Sequence, residues 1–281
     1  MNFLHIIGNI DRRIIYLLLV VTIIYPLMRP IGLPTIVEPM TQSAYDAVDS
    51  LLPGEVLCLA MDLSVGYRDD LYAGILAVVQ HALDKGARII MPSVIQDGPL
   101  VADQVVKVFE ERGYTYGEQL ANLGFRPGGE TAVAAMAQDM RATYPTDHYE
   151  NAIDTLPAMD GVLTAADFDL VVAVVTNITP GGLDWIKQVQ GPFGTKIVFH
   201  SGTMLVSQFT PYLQSGQIVG MLKGISGSAQ YESMIDRPGA ATASMEGQSL
   251  SHLLVIVLVL LGNIAFIFGS KKPVPSEKEA R

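Results

Sequence analysis

One stretch of this sequence constrains the fold more than any other: residues 253–269 form an apolar run that only Asn263 interrupts. Residues 247–270 carry no formal charge, and two lysines follow at once. A helix packed on a soluble domain keeps polar residues on one face, whereas this run has almost none. About 20 such residues cross a bilayer as a helix. The sequence therefore predicts a transmembrane helix over residues 248–270.

A second apolar run lies near the start of the chain, where residues 14–28 carry no charge. It predicts a transmembrane helix over about residues 14–30, within an N-terminal segment of residues 1–37. Prolines at positions 26, 30 and 34 favour an end near Met28, followed by extended chain. A cleaved signal peptide is the alternative, because two arginines precede the apolar core. The sequence lacks a clear cleavage site of small residues there, which favours an uncleaved anchor.

Charge is distributed unevenly along the chain, whose net charge is −10. Residues 31–248 hold 11 of the 18 Lys and Arg residues and 25 of the 28 Asp and Glu residues, which leaves both ends basic. Because basic flanks of membrane helices stay in the cytoplasm, both termini, including a tail of residues 271–281, are predicted to be cytoplasmic and the acidic middle extracytoplasmic. The membrane is then an inner or plasma membrane. The negative charge also excludes a nucleic-acid partner.

The middle of the chain, residues 38–213, alternates short apolar runs with helical periodicity. Strands are predicted at residues 56–61, 88–92, 169–175 and 196–199, and helices at residues 69–85, 100–112, 131–144, 183–190 and 203–214. Such alternation is typical of an α/β domain with a mostly parallel sheet and helices on both faces. We expect four to five strands in a Rossmann-like or flavodoxin-like layer.

Polar side chains follow several of these strands, at the edge where open α/β sheets bind ligands. A small-molecule site is predicted from Asp62, Ser64, Ser93, Asn177, Thr179 and Thr203. The alternative is that Asp62, Ser201 and Thr203 only cap the following turns and helices.

A hydrolase would use Ser201 as nucleophile, His200 or His148 as base and Asp62 to orient the base. Neighbouring residues of a strand point to opposite faces, however, so His200 and Ser201 do not form a pair by themselves. The scattered histidines and the single Cys58 define no metal site, and no cofactor fingerprint is present. Enzymatic activity is left open, with a non-enzymatic function favoured.

Gly216, Gly220 and Gly224 repeat every four residues in a membrane-proximal connector of residues 214–247. On a helix they would form one smooth face that lets another helix approach closely. The alternative is a flexible linker. With the anchors, this face predicts a self-associating membrane protein, or one that binds other membrane proteins, and whose acidic domain serves binding or scaffolding. A membrane-tethered hydrolase is the alternative function.

Overall fold

The computed structural model describes residues 11–268, whose contacts divide into two compact units. Residues 34–242 form an α/β domain, and the flanking residues on both sides form a helical unit. Among the described residues, eight helices have nine or more residues. They are α1 Arg12–Met28, α2 Pro39–Asp49, α3 Arg68–Asp84, α4 Gly98–Glu111, α5 Glu130–Gln138, α6 Val206–Gln214, α7 Gly224–Met234 and α8 Ala240–Phe268.

Six strands form one sheet in the α/β domain, and all neighbouring strands pair in parallel. They are β1 Val56–Asp62, β2 Arg88–Ser93, β3 Leu120–Phe125, β4 Leu170–Val175, β5 Ile197–Ser201 and β6 Gly220–Lys223. Their spatial order is β3-β2-β1-β4-β5-β6, which is the Rossmann order and not the flavodoxin order. The predicted α/β fold with a mostly parallel sheet is confirmed.

Helices cover both faces of the sheet, because successive side chains of a strand point to opposite faces. In β1, Cys58 and Ala60 pack in one cluster with residues of α5 and α6, whereas Leu57 and Leu59 pack with residues of α2, α3, α4 and α7. Every residue of β1 is buried, as expected for a strand covered on both faces.

The sequence analysis did not predict two of the six strands. β3 interrupts its apolar residues with Asn122 and Gly124, and β6 lies inside the glycine-containing stretch. The predicted helix over residues 131–144 is divided at Asp139, whose backbone is extended and whose carboxylate accepts the N–H of Ala142 at 2.9 Å. The domain reaches residue 242 rather than residue 213, because the supposed connector contains β6 and α7.

The prediction that Gly216, Gly220 and Gly224 share one helical face is wrong. Gly216 lies in a turn with φ 77°, Gly220 begins β6, and Gly224 begins α7 with φ 46°. A Cβ atom on Gly220 would lie 2.4 Å from the backbone nitrogen of Ala44, so this glycine lets α2 approach β6 within one domain. The regular spacing therefore reflects a separate local requirement at each glycine. The helical face on which the prediction of self-association rested is not present.

In the helical unit, α1 and α8 run antiparallel. The hydroxyl oxygens of Thr22 and Ser251 are 3.4 Å apart. The carboxylate of Glu246, which is 3% exposed, accepts the backbone N–H groups that follow α1: those of Ile31 and Gly32 at 2.6 Å and of Leu33 at 2.9 Å. This contact fixes the chain that leaves α1 to the first half of α8.

Within residues 11–268, one helix is long and apolar enough to cross a membrane, Ala240–Ile267, where the sequence predicts two such segments. α1 has 17 residues, or about 25 Å of helix, against a hydrocarbon core of about 30 Å. The predicted basic tail, residues 271–281, lies outside the described residues.

Candidate functional site at the carboxyl edge of the sheet

The predicted ligand residues lie at the carboxyl edge of the sheet, but only some of them reach its surface. Asp62 and Ser93 are buried, and Ser64 is half-buried. Asn177, Thr179 and Thr203 are exposed on the loops after β4 and β5. The exposed members therefore come from a single side of the crevice between β1 and β4, where doubly wound sheets bind their ligands.

Asp62 ends β1 and is inaccessible to solvent. Its carboxylate accepts the indole N–H of Trp185 at 2.6 Å and the backbone N–H of Val94 at 2.8 Å. Burial raises the pKa of Asp62 to about 6, and these donors oppose the shift. Asp62 thus holds β1 to the start of the β2–α4 loop and to the helical segment after β4, and it leaves no acceptor facing solvent.

Side-chain hydrogen bonds also hold the loops together at the carboxyl edge beside β1. Asp97, directly before α4, accepts the hydroxyl of Ser64 at 3.0 Å and the backbone N–H of Val65 at 3.1 Å. The hydroxyl of Thr176 accepts the N–H of Ser64 at 3.1 Å. The hydroxyl of Ser64 therefore joins the loops after β1 and β2 and makes no capping hydrogen bond to the helical turn that it precedes.

Carboxylates also lie at the helix starts of this edge. Asp70, in the first turn of α3, accepts the N–H of Ile225 at the start of α7. Glu130, the first residue of α5, accepts from Gln188 at 2.9 Å and Lys187 at 3.3 Å. Asp184 accepts the N–H of Gly181 at 2.9 Å. A helix start attracts anions, but here an internal carboxylate already takes that place and would repel a phosphate.

The three residues of the predicted hydrolase do not form a chain of hydrogen bonds. The imidazole of His200 lies 2.9 Å from the carbonyl oxygen of Leu71 and 3.3 Å from that of Leu222, and burial lowers its pKa. The hydroxyl of Ser201 is buried without a hydrogen-bond partner. Asp62 contacts neither residue by a hydrogen bond, so these three residues do not form an activated nucleophile; the hydroxyl within 3.5 Å of the His200 imidazole is that of the buried Ser228.

A carboxylate–imidazole–hydroxyl chain does occur elsewhere, and the sequence analysis missed it. The ring nitrogens of His81 lie 2.8 Å from the hydroxyl of Tyr231 and 3.2 Å from a carboxylate oxygen of Asp49. Tyr231 is fully buried, so no substrate reaches its hydroxyl. Burial also lowers the pKa of His81. The chain joins α2, α3 and α7, and residues so far apart in sequence give no local signal.

No metal-binding group is found among residues 11–268: nowhere do three His, Cys, Asp or Glu side chains cluster. In the acidic loop after α5, Asp147 accepts the hydroxyl of Tyr116 at 2.7 Å and the N–H groups of Tyr149 and Asn151 at 2.8 Å. Its carboxylate therefore shapes the loop.

Large apolar side chains are exposed at the carboxyl edge, and we call them the apolar rim. The rim consists of Val65, Tyr67, Leu100 and Met204. Val65 and Leu100 both contact Asp97 through their backbone N–H groups, and the ring of Tyr67 lies beside Gly202, two residues before Met204. The carboxyl edge therefore exposes large apolar residues as well as the polar Asn177, Thr179 and Thr203.

Comparisons with known proteins add little to this picture. No protein-family model matches the chain, and no curated protein matches it. The crystal structure of AibC is similar over 84% of this chain and 56% of that chain, with 14% identity and a TM-score of 0.31. This chain therefore spans just over half of that protein's length, and a similarity this weak carries no argument about function. The class that the geometry defines is an α/β protein with a Rossmann-ordered sheet and one candidate membrane helix.

Proposed function

We propose that this chain is a two-span membrane protein whose acidic α/β domain binds a partner protein through the apolar rim and performs no catalysis. The observation that carries the proposal is the contrast within the carboxyl edge. Buried polar groups such as Asp62, Ser93 and Thr176 have hydrogen-bond partners inside the domain, whereas large apolar side chains up to 80% exposed (Met204) remain on its surface. Exposed apolar residues grouped together are typical of protein interaction sites.

The membrane part of the proposal is supported by the surface of the helical unit. Leu17 and Val21 of α1 and Leu253 and Ile256 of α8 are exposed, and such side chains are stable when lipid surrounds them. α1 also runs antiparallel to α8, as the first of two spans would. The charge distribution then favours cytoplasmic termini and an extracytoplasmic domain.

Partner binding is tested by photo-cross-linking in native membranes. Leu100 and Leu163 are both 55% exposed, but Leu100 follows β2 at the carboxyl edge and Leu163 precedes β4 at the amino edge. We expect benzoylphenylalanine at position 100 to give a discrete protein adduct that Met204→Asp abolishes, and position 163 to give none. Equal adducts at both positions, or none at position 100, would contradict the proposal.

A reactive fluorophosphonate tests the hydrolase alternative on the same preparation. We expect no labelling of Ser201, because its hydroxyl has no base within hydrogen-bond distance. Stoichiometric labelling that Ser201→Ala removes would establish an enzyme instead.

Topology is tested by cysteine labelling on a Cys58→Ala background. An impermeant maleimide should reach a cysteine at Glu118, an exposed position before β3, in intact cells or spheroplasts. A cysteine at Ser276, in the basic tail, should be labelled only after lysis. The reverse pattern would overturn the proposed orientation.

A further inference from the structure

A groove runs along the outer face of α3, away from the apolar rim. Its floor is the stripe Arg68, Tyr72, Leu76 and Gln80, which a spacing of four residues places on one side of the helix. The end of α4 and the segment between α7 and α8 form its walls, and it encloses about 430 Å³. This volume lies in the range of sites for small organic ligands.

Three of the eleven basic residues between positions 31 and 248 line this one groove: Arg68, Arg112 and Arg237. Neighbours hold each guanidinium in place. Arg68 lies 4.3 Å above the ring of Tyr72 and donates to Gln104 at 2.6 Å. Arg112 donates to Gln80 at 2.7 Å, and Arg237 pairs with Asp84 at 3.0 Å.

Each guanidinium has five N–H donors, and these contacts use only one or two of them. Donors therefore remain available in a groove whose arginines are already oriented. Burial raises the pKa of the Tyr72 hydroxyl, and the charges of Arg68 and Arg112 oppose that shift. The Tyr72 hydroxyl adds a further donor to the groove that Arg68 and Arg112 also line.

Two acidic residues line the groove, and both already have donors. Glu232 is buried, and its carboxylate accepts the backbone N–H groups of Gly239 and Thr242 at 2.9 and 2.8 Å and the hydroxyl of Thr242 at 2.6 Å. A Cβ atom on Gly239 would lie 2.6 Å from this carboxylate, so the wall depends on glycine there. Asp69 extends into solvent, where it pairs with Arg68.

We propose that this groove binds an organic phosphate, a phosphomonoester with an apolar body. Arg68, Arg112 and the Tyr72 hydroxyl would bind the phosphate, because planar guanidinium groups donate to phosphate oxygens in pairs. Leu76, Ile235 and Pro238 would contact the apolar body. The phosphate comes from a soluble ester or from the headgroup of a membrane lipid. This inference is independent of the apolar rim, which is built from other residues.

The test uses the full chain in detergent, and 1-naphthyl phosphate is the soluble probe, with binding measured by calorimetry. We expect saturable binding that Arg112→Gln weakens about tenfold, the loss expected for one charge-assisted hydrogen bond, and that Tyr72→Phe weakens less. Lys187→Gln is the matched control: its side chain is 51% exposed and paired with a carboxylate, but it lies outside the groove. This variant should bind the probe with an affinity within about twofold of that of the wild type.

A second arm tests the lipid source with bilayer nanodiscs of phosphatidylcholine, with and without phosphatidic acid. Native mass spectrometry counts the phosphatidic acid retained by the chain and by each variant. Loss of binding in Arg112→Gln, but not in Lys187→Gln, supports the proposal in whichever arm shows it and identifies the source. No binding in either arm, or binding equally weakened by the control, overturns it. Fluorescence of the single tryptophan, Trp185, reports whether each variant is folded.

Discussion

The carboxyl edge of the sheet and the groove along α3 both bring together polar and charged side chains, yet their hydrogen bonds differ. At the edge, Asp62, Asp97 and Glu130 accept from internal donors. In the groove, Arg112 and Arg237 are held by one acceptor each and keep further donors. The comparison teaches that a polar side chain at the usual ligand position marks a site only when its hydrogen-bonding capacity is not already used inside the protein.

The two regions should therefore respond differently to substitution: changes at the edge affect folding, and changes in the groove affect binding. Trp185 donates to Asp62 and is the only tryptophan of the chain. Its fluorescence reports on the edge directly and follows unfolding of the α/β domain.

The largest effect is expected for Gly98→Ala. A Cβ atom there would lie 2.0 Å from the carbonyl oxygen of Met61 and 2.2 Å from the hydroxyl of Ser93. Overpacking of this severity should cost about 3 kcal/mol or more, measured by urea unfolding followed through Trp185. Gly66→Ala is the control at the same edge, since no atom lies within 4 Å of its Cβ position. Equal stability of the two variants would show that the edge is loosely packed.

A pH dependence of similar size is expected from Asp62. Its pKa is about 6 in the folded domain and 3.8 in the unfolded chain, so the folded domain binds more protons between these values. Stability attributable to Asp62 is present below about pH 4 and is lost as pH rises through 6. The difference amounts to about 3 kcal/mol.

Asp62→Asn isolates this effect, because His81 and His200, whose pKa values burial lowers, act with the opposite sign below pH 6.5. Relative to the variant, the wild type should lose stability between pH 4 and pH 7. Parallel stability curves would mean that Asp62 is not buried as a carboxylate.

A smaller effect distinguishes the two serines that end strands. Ser201→Ala removes a buried hydroxyl without a partner and should stabilise the domain by about 1 kcal/mol. Ser93→Ala removes a hydroxyl that donates to the carbonyl of Met61 at 2.7 Å and should destabilise it by about 1 kcal/mol. Thermal unfolding of the two variants checks the signs, and the same sign for both would contradict the hydrogen-bond assignment.

The smallest effect on folding is expected in the groove. Arg112→Gln should change the free energy of unfolding by less than about 0.5 kcal/mol, because exposed charges contribute little to stability. Lys187→Gln should change the free energy of unfolding by a similarly small amount in the same assay. A cost near that of Gly98→Ala would show that the groove arginine is part of the fold and would remove the distinction between the two regions.

The sequence by itself determined the elements whose signal is local. β1 and β4 are continuous apolar runs, α3 has a helical apolar face, and residues 253–269 are apolar all round. Burial on both faces, helical period and membrane length depend on neighbouring residues. The predicted bounds of β1, β4 and α3 therefore agree with the structure within one or two residues, whereas α8 begins at Ala240, eight residues before the predicted start of the membrane helix.

Only the tertiary structure decided strand order, the edge strands β3 and β6, and the state of the polar side chains. The bond between Asp62 and Trp185 joins residues 123 positions apart, and the groove brings together Arg68, at the start of α3, and Arg112, the residue after α4. Gly220 shows the same point: its spacing matched a helical face, but its contact is with Ala44 of α2. A polar residue is free or satisfied according to partners that the fold supplies, and local sequence does not specify those partners.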